Sequence, residues 1–157
     1  GSDAEPYGVS VIDEALANEG KVMLPTKHSG NKGLDVAAKG FDESSIDLFE
    51  IKTIGNYEEG DLQAVVARLK DTKTLGRQMS ERYVSAQGVV LIGKSEPALQ
   101  STGFSILKAT ERTRHIVVID QYGNMFKIDP QLVDLAFETM PNEWLRPFSA
   151  RGAGKSQ

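Results

Sequence analysis

Residues 28–53 read HSGNKGLDVAAKGFDESSIDLFEIKT, a polar, glycine-bearing loop followed by two strands over 33–40 and 46–53. FDESS supplies the turn between them. Strand side chains alternate faces, so Ile46, Leu48, Glu50 and Lys52 share one side while Asp47, Phe49 and Ile51 share the other. Asp35 lies on the first strand and comes opposite Glu50 and Lys52 if the two pair as a hairpin. Charges at the end of an apolar face persist only when paired or coordinated. Two carboxylates beside one lysine suit a hard, oxygen-seeking cation such as Mg²⁺, with the ammonium free to orient water or neutralise phosphate charge. The plainer alternative is a surface Glu–Lys pair at a strand end; Asp35 upstream favours the metal site.

Length and composition bound the rest. A chain of 157 residues suits one domain, taken as residues 3–150, with Gly1-Ser2 set aside as a tag scar and 151–157 as a flexible tail. No apolar run is long enough to cross a membrane. The opening lacks a signal-peptide pattern, so any export signal of a larger secreted protein would lie elsewhere. Cysteine is absent, which removes thiol nucleophiles, disulfides and cysteine-ligated zinc together. His28 and His115 are too few for a histidine-rich zinc site. The net charge of −4 argues against broad nucleic-acid affinity but leaves room for a local basic groove.

Before the central stretch, Tyr7–Glu19 has the stripe Val9, Ile12, Leu16 of an amphipathic helix ended by Gly20 at C′. Glu14 on that helix is placed to reach the pocket, or else is a solvated carboxylate. Lys21–Leu24 reads as a short strand stopped by Pro25. His28 in the next loop is either a phosphate contact or incidental.

After it, Gly60–Tyr83 reads as helical from an Asp61 N-cap, with Leu62, Val65, Val66 and Leu69 buried. Gly76 interrupts it before a further turn or two in RQMSERYV. Lys70, Lys73, Arg77 and Arg82 form a candidate phosphate-facing surface, or simply a solvated one. Residues 87–94, QGVVLIGK, read as a strand buried on both faces. A short helix starts near Pro97 and Phe104–Thr110 continues helically. RHIVVID is a buried strand, QYGN a turn and MFKID its hairpin partner. Pro130 opens a helix over QLVDLAFETM, and Trp144 and Phe148 pack a C-terminal extension. The closing Gly154-Lys155-Ser156 is read as a false P-loop match: Ser149 stands where glycine is needed, and a following helix is required where only Gln157 is seen.

The order of a helix with Glu14, a strand with Asp35 and then Glu50-x-Lys52 resembles the PD-(D/E)XK nuclease superfamily over residues 7–94. Thr72–Ser80, TKTLGRQMS, followed by Tyr83, is similar to a segment of bacterial contact-dependent growth-inhibition and related polymorphic toxin domains. Asn31-x-Gly33-x-Asp35 resembles their entry into the aspartate strand, with Leu34 where that family carries proline. The resemblance implies an α/β, restriction endonuclease-like core, a central mixed β-sheet flanked by helices. It implies a nuclease toxin in which Asp35, Glu50 and the Ile51 carbonyl hold Mg²⁺ or Mn²⁺ (Zn²⁺ possible), with Glu14 joining directly or through water. Lys52 would position the attacking water and stabilise charge on the scissile phosphate. Gln78, with Lys73 and Arg77 nearby, would orient water or hold phosphate, and Lys70 would join Lys73 and Arg77 in binding the nucleic acid. Such domains close a large secreted or cell-surface effector, act on tRNA or DNA in the target cell's cytoplasm, and are neutralised by an immunity protein. A non-catalytic nucleic-acid-binding or interaction domain on the same fold is the alternative; a structural module would need repetitive β patterning, which is absent.

Overall fold

The computed structural model describes residues 4–28, 33–42, 44–53, 65, 68–69, 71–72, 75–120, 122–128 and 145–147. The expected features at Asn31, Asp61, Leu62, Val66, Lys70, Lys73, the helix after Pro130, Trp144, Phe148 and the tail 151–157 lie outside the described residues.

Helix α1 (Ala4–Asn18) leads into β1 (Val22–Leu24), β2 (Val36–Lys39) and β3 (Ser45–Thr53). A two-stranded ribbon follows, β4 (Asp71–Thr72) with β5 (Gly76–Arg77). Then come α2 (Glu81–Ile92), α3 (Pro97–Lys108), β6 (Glu111–Ile119), β7 (Met125–Ile128) and β8 (Leu145–Pro147). The large sheet has six strands in the order β1-β2-β3-β6-β7-β8. It is mixed: β3 and β6 run parallel, from Ser45 opposite Glu111 to Thr53 opposite Ile119, and the other neighbours are antiparallel. The chain is therefore α/β, as expected.

The alternation along β3 sorts the core into two layers. Ile46 and Leu48, with Ala37, Ile116 and Val118, pack against Tyr83, Val84 and Leu91 of α2 and Leu99 and Ile106 of α3. Phe49 and Ile51, with Val36, Ala38, Val117 and Ile119, pack against Val11, Ile12 and Leu16 of α1. Helix α1 ends as expected, with Gly20 at φ +76°, a left-handed turn that glycine takes without steric cost. On the α1 face both Asp47 carboxylate oxygens find partners. The Lys21 ammonium donates to Asp47 Oδ2 at 2.7 Å, and His115 Nε2 lies 3.2 Å from Asp47 Oδ1. The His115 ring stacks on Phe49 with centroids 4.5 Å apart.

Two expectations fail. Residues 87–94 are not a strand; most of the run lies in α2. Its buried positions are Tyr83, Val84, Gln87, Gly88 and Leu91, while Val89 is 61% exposed, a helical spacing that a short apolar run conceals. Ser80 starts this helix by accepting from the Tyr83 N–H at 3.1 Å, which satisfies one otherwise orphan donor. The helical reading of 60–83 fails at 71–72 and 76–77, which pair as β4 and β5. Gly76 (φ +84°) and Met79 (φ +65°) both take left-handed backbone that ends any helix there.

The α2–α3 pair is joined at two glycines. A Cβ on Gly103 would stand 2.6 Å from the Gly88 carbonyl oxygen and 2.9 Å from the Ile92 nitrogen, both backbone atoms that cannot turn aside. Gly103→Ala is expected to destabilise the protein by about 1–3 kcal/mol through overpacking, measured by urea denaturation. An unchanged midpoint would mean that the two helices are not so closely apposed.

Candidate active site

The antiparallel β2–β3 ladder ends at Val36 opposite Phe49, and one residue earlier the Asp35 side chain takes over. Asp35 Oδ2 accepts from the Ile51 N–H at 2.7 Å, a short, charge-assisted bond. Asp35 thus sits just before β2 rather than within it, and its carboxylate is fixed to the β3 edge. A strand residue's N–H and C=O leave on the same side, so the Ile51 carbonyl opens toward Asp35 as well.

Glu50 and Lys52 continue the face of Ile46 and Leu48, where the helical layer shields them from water. Glu50 is 5% exposed. Its Oε2 lies 3.4 Å from the Lys52 ammonium, while Oε1 is buried and accepts no hydrogen bond. Burial pushes the Glu50 carboxyl up to about 8, and the Asp35 charge adds to the rise; Lys52 and Lys27 oppose it. Lys52 also donates to Gln78 Oε1 at 3.2 Å and to the Arg68 carbonyl at 3.5 Å.

Gln78 reaches Lys52 because the turn that carries it is pinned from three directions. Met79 is fully buried despite its left-handed backbone, a conformation that costs a side-chain-bearing residue about 1–2 kcal/mol. Burial of its side chain in the α2 layer offsets that cost. Its carbonyl accepts from Arg114 Nη1 of β6 at 3.1 Å. Ser80 Oγ donates back to the Arg77 carbonyl at 2.7 Å. Tyr83, one helical turn on, faces the same pocket. Burial first, and then the Glu50 charge, raise its phenol to about 12, against hydrogen bonds with Gln87 and Gln78 that act the other way.

The structure therefore brings Asp35, Glu50, Ile51, Lys52 and Gln78 together. Glu14 is not brought to them: it is exposed on α1, which packs on the opposite sheet face. Arg77 is half-buried on β5, next to Gln78; Lys70 and Lys73 lie outside the described residues. His28 is half-buried with its ring over Gly33. Sequence reasoning missed Lys27, whose ammonium sits 2.7 Å from Asp35 Oδ1 and also donates to the Gly33 carbonyl at 3.3 Å. It also missed Arg114. Neither has a local signal, since each reaches its partner only through the fold.

The donor set fits a hard cation. The Asp35 charge acts on Glu50, and the buried Glu50 Oε1 lacks a partner. Among the described residues no third His, Cys, Asp or Glu joins them. Few protein oxygens suit an ion that keeps several waters, Mg²⁺ or Mn²⁺, better than zinc, which seeks nitrogen and sulfur. The chain matches no protein-family model, and no curated protein or solved structure matches it. No helix among the described residues is long and apolar enough to cross a membrane.

The raised Glu50 carboxyl makes stability depend on pH. Unfolded, Glu50 titrates near 4.5; folded, near 8. Between these values the folded chain keeps a proton that the unfolded chain has lost. That stabilisation is full below the lower value and is lost as pH rises through the upper one. In chelator, wild type should lose more stability than Glu50→Gln between about pH 5 and about pH 9, as read by urea midpoints. Parallel pH profiles would contradict the assignment.

Proposed function

We propose that this chain is a divalent-metal-dependent nuclease with a restriction endonuclease-like core. Its substrate is the phosphodiester backbone of tRNA or DNA. The observation that carries this reading is the buried Glu50, with its unpartnered oxygen, facing Asp35 on a strand edge where Lys52 stands two residues on. An antiparallel strand pair with the aspartate just before its first strand and the Glu-x-Lys on its second, joined through helices to a parallel neighbour, supports the core assignment.

Asp35, Glu50 and the Ile51 carbonyl would hold the cation, and the fixed Asp35–Ile51 bond orients that side of the cradle. When bound, Mg²⁺ or Mn²⁺ supplies Lewis-acid polarisation of a phosphoryl oxygen. Lys52 donates to the attacking water or to a non-bridging phosphate oxygen, where negative charge builds in the transition state. Gln78 holds the Lys52 ammonium in that position. The water oxygen attacks phosphorus in line, the bond to the leaving oxygen breaks, and the water proton ends on the leaving group or in solvent. The chain needs no covalent intermediate.

The likeness of residues 72–80 to growth-inhibition toxin domains supports a biological setting. In that setting the domain is the C-terminal toxin of a secreted or cell-surface bacterial effector, acting in the target cell's cytoplasm. A cognate immunity protein would neutralise it. An acidic partner that covers Arg77 suits a cleft that accepts polyanions.

Asp35→Asn, Glu50→Gln and Lys52→Met should each lower cleavage of tRNA or plasmid DNA by about 100-fold or more while keeping the wild-type circular dichroism spectrum. Chelator should abolish wild-type cleavage. Near-normal turnover by any folded variant of the three, or full activity in EDTA, would overturn the mechanism.

A further inference from the structure

Lys27 brings a second ammonium to the pocket. Its ammonium is 2.7 Å from Asp35 Oδ1, and its charge acts on Glu50 as well, lowering a carboxyl that burial has raised. The two carboxylates therefore face two ammoniums, Lys27 and Lys52. The two lysines are held very differently. Lys52 is 14% exposed and is tied to Glu50, Gln78 and the Arg68 carbonyl. Lys27 is 31% exposed and lies in the segment between β1 and β2, where Asp35 and the Gly33 carbonyl receive it. A divalent cation at Asp35 and the Lys27 ammonium 2.7 Å from Asp35 Oδ1 repel one another, which disfavours keeping both on one carboxylate. Of the two ammoniums, Lys27 has the fewer ties and the greater exposure.

We propose that Lys27 is the resident counter-ion of Asp35, which a divalent cation replaces, so that metal loading is an exchange of Lys27 for the metal. The inference rests on the metal-site reading above. Before loading, Lys27 neutralises a carboxylate whose side chain is 7% exposed. The exchange also lowers apparent metal affinity, because the ion competes with an internal cation for the same oxygen.

Calorimetric titration of Mn²⁺ into wild type, Lys27→Met, Lys27→Arg and Glu50→Gln separates the outcomes. Lys27→Met keeps the alkyl stem without the charge and should bind Mn²⁺ about 10-fold more tightly than wild type. Lys27→Arg, which keeps the charge, should bind no more tightly than wild type, and Glu50→Gln should bind much more weakly. Mn²⁺ bound by wild type and lost in Glu50→Gln, with Lys27→Met no tighter than wild type, would overturn the exchange and leave the metal site standing. No Mn²⁺ binding by wild type would overturn both. Should Lys27→Met fail to fold, lysine side-chain NMR of the wild type decides. Adding Mg²⁺ should move the Lys27 ε-methylene signal to that of a solvated lysine, and an unmoved signal with Mg²⁺ bound would overturn the exchange.

Discussion

Glu50 occupies a position that the sheet would otherwise fill with an aliphatic side chain. It continues the face of Ile46 and Leu48, under the layer built by α2 and α3, and is almost wholly removed from water. Taking a carboxylate there costs several kcal/mol even after local relaxation. The surroundings answer that cost with Lys52 at 3.4 Å and the charge of Lys27 beside Asp35. They leave one carboxylate oxygen without a hydrogen bond. The strained Met79 backbone, the Arg114 bond to its carbonyl and the Ser80 cap all hold Gln78 against Lys52. Much of the local architecture thus serves one buried carboxyl group.

The other sheet face shows what a purely structural polar group looks like in this protein. Asp47 is bonded by Lys21 and His115, and the His115 ring lies on Phe49. Burial alone would raise the Asp47 carboxyl, but the His115 and Lys21 hydrogen bonds outweigh it and leave it lowered. That carboxylate is satisfied and stays charged. Glu50 has the opposite balance, which is the arrangement expected where a ligand is to complete the site.

Much of the centre was legible because strand alternation is strict: once β3 is a strand, Glu50 and Lys52 must share a face and Asp35 must meet them across a hairpin. Helix α1 and the strands β6 and β7 were legible for the same kind of reason, a clear period closed by turn residues. Residues 87–94 were not, because VVLI suits a strand or a helix equally and the deciding cap, Ser80, lies seven residues upstream of Gln87. The ribbon at 71–77 was hidden by helix-compatible composition, and only the left-handed Gly76 and Met79 break the pattern. Glu14 shows the limit of helical placement: its helix packs on the α1 face of the sheet, away from Glu50. Lys27 and Arg114 act across 8 and 35 residues of sequence, with no motif to mark them.

The most direct measurement is anomalous diffraction from crystals grown with Mn²⁺. The peak is expected between the Asp35 and Glu50 carboxylates, bonded to both, with Lys27 Nζ moved off Asp35 Oδ1. Bound Mn²⁺ elsewhere, or no peak at saturating Mn²⁺ with Lys27 still on Asp35, would contradict the assignment of this pocket as a metal-dependent catalytic centre.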